Sequence, residues 1–258
     1  MPQRGLFIAG TDTGVGKTAA AAAVLRYLRV RRGLDAVPMK PVQTGCRGGG
    51  RTGWRAPDLQ VCLDSVSLAP SAAERRLMTP YGYRPACSPH LAARMAGRWP
   101  QLAHIRRCAD RLLAAHAFVV VEGAGGVMTP LNGRHTMADL IRALGFPVLL
   151  VGRNALGGIN QALLSLAALR QAGAAVIGVL LNEPCAGVSG ERYIREDNSA
   201  AIAAYGRVPV LGRIPYGPVS PHAGRCGGAG ADGVWGDLAR LVPALARRLD
   251  RMAAEAGG

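Results

Sequence analysis

The chain has 258 residues, 49% of them hydrophobic, and a mean hydropathy of +0.15, which suits one α/β domain with a full core. No apolar run approaches the roughly 18 residues of a membrane span, and six cysteines without a CxxC pair argue against a zinc site or a disulfide framework. The net charge of +15 would suit an anionic partner, but the basic residues are dispersed, and all except Lys17 and Lys40 are arginine, so they read as generic surface cations rather than a nucleic-acid interface.

The predicted elements alternate. LFIAG (6–10) reads as a buried strand and TAAAAAVLRYLRVRRG (18–33) as a helix ending at Gly33. AVPMK (36–40) is a short second strand, and 45–57 is a glycine-rich loop. Helical patterns around 88–97 and 101–115 precede the apolar strand FVVVE (118–122). PVLLVG (147–152) and AAVIGVLLN (174–182) are further strands, with helix 160–173 between them. VPVLGRIP (208–215) is the last strand, and 235–255 is a closing amphipathic helix bent at Pro243. Continuous apolar strands between helices predict a doubly wound, mostly parallel sheet of the P-loop NTPase kind, with helices on both faces. No repeat or linker divides it, so residues 1–258 are expected to form one domain. The N-terminus lacks the pattern of a signal peptide, and the expected location is cytoplasmic.

In such sheets ligands bind at the carboxyl ends of the strands, where the informative motifs fall. GTDTGVGKT (10–18) links a strand to a helix and ends as a phosphate-binding loop does, although Thr11 stands where that loop usually has its first glycine. Gly14 and Gly16 allow close backbone approach, Lys17 reaches β and γ phosphates, and the Thr18 hydroxyl suits Mg²⁺. FVVVEGAGG (118–126) delivers Glu122 to the strand end as a second metal-binding position. MKPVQTG (39–45) places Lys40 where a point charge can meet a developing carbamate, carboxylate or phosphoryl oxygen. Asp58 is either a Mg²⁺ ligand or a helix N-cap after Pro57, and Thr44 is either a turn residue or a substrate hydrogen-bond donor.

GTDTGVGKT, MKPVQTG, SPHLAA (88–93), VVEGAGGVMTPL (120–131), GGINQA (157–162), LLNEP (180–184) and LGRIPY (211–216) occur together in the order of dethiobiotin synthetases, which this chain resembles from about residue 5 to 216. The resemblance implies a homodimeric P-loop enzyme of biotin synthesis. Such an enzyme uses ATP, Mg²⁺ and CO₂ to close the ureido ring of 7,8-diaminononanoate through a carbamate and a carbamic–phosphoric anhydride. It implies Lys40, Thr13 and Thr44 around the carbamate, with Lys17 holding the γ-phosphate. Gly14, Val15, Gly16, Lys17, Thr18 and Ala19, with Glu122, Gly123, Ala124 and Gly125, would line the phosphates. Thr18, Asp58 and Glu122 would bind the metal. Asn182 and Glu183 would meet the nucleotide base, as would Ile214, Pro215 and Tyr216. Asn182 also fits a plain strand-end turn. Gly158, Ile159 and Asn160 would face the diamine or a second subunit, and Tyr193 would reach across the interface. The partners so implied are small molecules and a second copy, with neither nucleic acid nor membrane.

Two other readings compete. A cobyrinate-type amide synthetase of the same superfamily would need a glutaminase domain, for which this chain has neither length nor nucleophile motif. A partitioning-type P-loop ATPase would carry a lysine near the loop start, where Asp12 stands.

Overall fold

The computed structural model describes residues 4–48, 54–183, 192–214 and 238–257. Strand β1 (Gly5–Gly10) runs into the loop that starts α1 (Lys17–Arg26), which continues as a π-helical turn over Tyr27–Arg31. After β2 (Ala36–Met39) the chain forms β3 (Val42–Gln43) and a hairpin of β4 (Arg47–Gly48) and β5 (Trp54–Arg55). Helices α2 (Pro57–Ser65) and α3 (Ala72–Met78) lead to β6 (Tyr81–Gly82), which pairs with β3. Then follow α4 (Pro89–Met95), α5 (Leu102–Ala115), β7 (Phe118–Glu122) and α6 (Met137–Leu144). Strand β8 (Val148–Arg153), α7 (Gly158–Gln171), β9 (Val176–Asn182), α8 (Arg192–Gly206) and β10 (Val210–Ile214) complete the sheet. Helices Leu238–Leu241 and Pro243–Gly257 close the described chain, separated just before Pro243 because its ring removes an amide donor.

Among the described residues the main sheet has six strands in the order β10-β9-β8-β1-β7-β2, and every pairing in it is parallel. Its strands are apolar except near their carboxyl ends, because both faces are covered, with alternate residues serving opposite layers. Phe7, Val119, Val121, Leu150 and Leu181 join one core layer with Ile105, Leu112, Leu140 and Leu166 of the helices on that side. Leu6, Ile8, Val120, Leu149 and Leu180 join the other layer, with Ala21, Val24, Leu245 and Leu249. The alanine run of α1 explains its position: five small buried side chains in succession let that helix lie close over the sheet centre.

Four departures from the sequence expectation stand out. The glycine-rich stretch 45–57 contains the β4–β5 hairpin, and its residues 49–53 lie outside the described chain. Helices α3, α6 and α8 are not foreseen in the sequence, and α2 is foreseen only through the N-cap reading of Asp58. Asp58 is not an N-cap: Ala56 holds that place, and Asp58 lies in the first turn. Helix α7 begins at Gly158, slightly earlier than its apolar period suggests. No helix among the described residues is long and apolar enough to cross a membrane.

Candidate phosphate-binding site

The site gathers at the carboxyl ends of the central strands. Strand β1 ends at Gly10, next to Thr11, whose amide donates to Val151 O at 2.9 Å. The Thr11 side chain occupies space left by Gly152 on β8, where an added Cβ would lie 3.3 Å from Thr11 Cγ2. That neighbouring glycine makes room for the threonine at the usual glycine position. The loop then turns through Gly16, whose φ of 98° is left-handed and favours glycine. Asn182 presses its amide against the same Cα, so a methyl group there would collide with it. The expected base-side residue Asn182 and the phosphate loop are therefore in contact.

Lys17 is buried and folds back over the loop, its Nζ donating to Asp12 O at 2.7 Å. Burial, aided by the nearby Lys40 ammonium, brings its pKa down to about 8 against the pull of Glu122. Lys40, at the end of β2, is also buried, and it is clamped by two acids. Its Nζ lies 2.6 Å from Glu122 Oε1 and 2.7 Å from Asp58 Oδ2, and donates to Gly123 O at 3.0 Å. Burial works against the Lys40 charge, but the two carboxylates outweigh it and hold its pKa above the ordinary lysine value. Asp58 is shifted down despite burial because Lys40 stands beside it. Burial pushes Glu122 up, with Asp58 adding to the push and Lys40 opposing it.

Thr18 Oγ1 donates to Glu122 Oε1 at 2.8 Å, which ties the first turn of α1 to the end of β7. Glu122 Oε2 is buried and has no hydrogen-bond partner among the described residues, a costly arrangement for a carboxylate oxygen. The Thr18 hydroxyl and the Asp58 and Glu122 carboxylates, the latter including that spare oxygen, form an all-oxygen donor set suited to Mg²⁺. The GAGG segment after β7 runs against the phosphate loop: a Cβ on Gly126 would lie 3.0 Å from Thr11 O. Gly123 N donates to Ile8 O, which holds Gly123, Ala124 and Gly125 beside β1.

The structure thus brings together Lys17, Thr18, Lys40, Asp58 and Glu122, with Gly14, Val15, Gly16 and Ala19 in the same loop and helix start. Thr13 is exposed at the loop crest, its amide donating to Asp12 Oδ1 at 2.7 Å. Thr44 follows β3, where its carbonyl accepts from Gln43 Nε2. Glu183 N donates to Ile214 O at 3.0 Å, joining two expected base-side residues. Pro215 and Tyr216 lie outside the described residues. Gly158, Ile159 and Asn160 form the first turn of α7, whereas Tyr193 is exposed on the first turn of α8, with no contact to the lysine cluster. One supporting residue was overlooked in the sequence: buried Gln43, whose Oε1 accepts from Asp58 N at 3.2 Å. Its signal lay within MKPVQTG itself, beside Thr44.

Comparison with known proteins gives a consistent result. A family profile described as an AAA domain matches residues 4–222. The chain is 44% identical over 180 residues to the ATP-dependent dethiobiotin synthetase BioD of Anaeromyxobacter sp. strain K, a match covering 69% of this chain and 76% of that protein. It is 40% identical over 210 residues to the protein of the same name from Pseudomonas paraeruginosa, covering 81% of this chain and 88% of that one. Among solved structures, the septum site-determining protein MinD of Pyrococcus horikoshii, complexed with Mg-ADP, aligns over 98% of both chains. Its TM-score is 0.62 and its identity 16%, so that likeness shows the shared P-loop NTPase fold alone.

Proposed function

The chain belongs to the family of ATP-dependent dethiobiotin synthetases, ligases of biotin synthesis, and from that premise we propose how its own residues perform the reaction. In this reading 7,8-diaminononanoate captures CO₂ on one amine as a carbamate. The carbamate oxygen attacks the γ-phosphorus of ATP and ADP departs. The second amine then attacks the carbonyl of the mixed carbamic–phosphoric anhydride, phosphate leaves, and the ureido ring closes.

The observation that carries this reading is the buried Lys40, held by two carboxylates at the end of β2, with β7 alone between that strand and β1, which leads into the Lys17 loop. An ammonium fixed there is a preorganised charge for an acceptor anion approaching the γ-phosphate. Lys17 would bind the β and γ phosphates, and amides of residues 14–19 and 123–125 would cradle their oxygens. Thr13 and Thr44 would orient the carbamate. Thr18, Asp58 and Glu122 would hold Mg²⁺, which neutralises phosphoryl charge when bound; the spare Glu122 Oε2 supports this assignment. Asn182, Glu183, Ile214, Pro215 and Tyr216 would receive the base. Gly158, Ile159, Asn160 and Tyr193 would meet the diamine.

We also infer that residues 1–258 act as one domain in a homodimer. The exposed Leu156, Leu164 and Tyr193 support this, since large apolar side chains near the α7 start and on α7 and α8 suit an interface. No nucleic-acid or membrane partner enters the reading.

The test is direct. The full chain is incubated with ATP, Mg²⁺, bicarbonate and 7,8-diaminononanoate, and dethiobiotin and ADP are quantified. Equimolar appearance of both is expected, and ADP without dethiobiotin would refute the assignment.

A further inference from the structure

Helix α8 takes no part in the phosphate cluster, yet it buries polar side chains that an ordinary covering helix would avoid. Asn198 and Arg195 on α8, and Asn154 at the end of β8, are all nearly inaccessible. Asn198 Nδ2 donates to Asn154 Oδ1 at 3.1 Å and to Ala155 O at 3.2 Å. Asn154 Nδ2 donates in turn to Arg195 O at 3.5 Å. Ala155 O also accepts from Gly158 N at 2.9 Å, so Asn198 grips the turn that starts α7. A Cβ on Gly158 would run into Arg153 O and lie 3.7 Å from Asn198 Nδ2, so the turn packs directly on this pair.

Arg195 lies three residues before Asn198 on the same helical face. Its Nη1 meets Glu183 Oε2 at 3.4 Å, and Glu183 follows Asn182 at the end of β9. Asn154 N donates to Asn182 O at 2.9 Å, which joins the two ends of the arrangement. One face of α8 therefore contacts both the strand end expected to read the nucleotide base and the turn expected to receive the diamine.

We propose that Arg195 and Asn198 are positioning residues for two different substrates, Arg195 setting Glu183 and Asn182 for ATP and Asn198 setting the 155–160 turn for the diamine. This deepens the proposed function and rests on it. A buried amide pair is stiff because losing either bond strands a polar group away from water. The turn is thereby held against α8 and not by its own three-residue hydrogen bond alone.

Steady-state kinetics on the full chain tests the division of labour. Asn198→Ala should raise the KM for 7,8-diaminononanoate about 10-fold and leave the KM for ATP within about twofold. Arg195→Met should do the reverse. Asn154→Leu, which keeps volume and removes the acceptor, should shift the diamine KM in the same direction by less, and it serves if Asn198→Ala folds poorly. A merely structural brace would lower the active fraction, reducing kcat in all three variants with both KM values unchanged. That result, or both KM values rising together, overturns the inference while the wild type still makes dethiobiotin. A wild type that makes none refutes the functional reading, and this inference falls with it.

Discussion

At the scale of single residues, Lys40 is defined by shape as much as by charge. A compact ammonium fits among Glu122 Oε1, Asp58 Oδ2 and Gly123 O, whereas a planar guanidinium spreads its donors over a wider fork. Lys40→Arg should therefore lower kcat by at least about 100-fold while nucleotide affinity changes little, read by turnover and by calorimetry with a non-hydrolysable ATP analogue. Near-normal turnover would remove Lys40 from the mechanism. Gly16 is constrained twice, by its left-handed φ and by the Asn182 amide against its Cα. Gly16→Ala should weaken ATP binding by about 10-fold or more and lower the melting temperature, because strain and collision act together. An unchanged Kd would show that Asn182 yields freely and does not brace the loop. Lys17 and Lys40 were legible because every other lysine or arginine position carries arginine. The ion pair of Lys40 with Asp58 was not legible, since the two lie 18 positions apart in the chain with the β4–β5 hairpin between them.

At the scale of elements, local chemistry sets several helix ends. Helix α6 starts with a capping box, in which Thr136 N and Oγ1 both donate to Asp139 Oδ2. The Thr136 amide bond lowers the Asp139 pKa more than burial raises it, and the Thr136 hydroxyl adds to the lowering. A carboxyl with a depressed folded pKa stabilises the native state fully above its unfolded value and loses that contribution as pH falls through the folded value. Asp139→Asn should thus cost about 1 kcal/mol at pH 7, with the gap to wild type closing as pH falls below 3.8, measured by urea unfolding across pH. A gap independent of pH would show that the charge of Asp139 is not what caps the helix. The six strands of the main sheet were readable in order because each is a short apolar run bounded by breakers, whereas the two-residue strands β3 to β6 carry no such run. Helices α2 and α8 have mixed faces: PDLQVCLDS and RYIREDNSAAIAAYG interrupt their apolar period with polar residues that turn out to be partnered inside the fold. Asn198 reads as a turn residue in isolation, because a propensity cannot report that Asn154 waits across the interface.

At the scale of the whole molecule, β1 lies in the sheet interior with β7 and β8 on either side, which brings the loops after β1 and β7 together. The exposed faces follow from the same layout. Leu156 is 87% exposed and Leu164 63% exposed, on the side where α7 begins. Sedimentation should give about twice the 26.8 kDa chain mass, and Leu164→Asp should weaken that dimer or abolish it. A wild type that sediments as a single chain would discard the dimer.

The strand–helix alternation, the parallel sheet and the phosphate loop are legible in the chain because they depend on apolar periodicity and on residues adjacent in sequence. Glu122 and Lys40 are legible too, each at the end of an apolar strand. Which groups meet is a matter of the packed fold: Lys40 between Glu122 and Asp58, Asn182 against Gly16, and Asn198 under the α7 turn. Those contacts join residues far apart in the chain, and burial is what makes them consequential, since away from water an unpartnered charge or amide is too costly to leave without its complement.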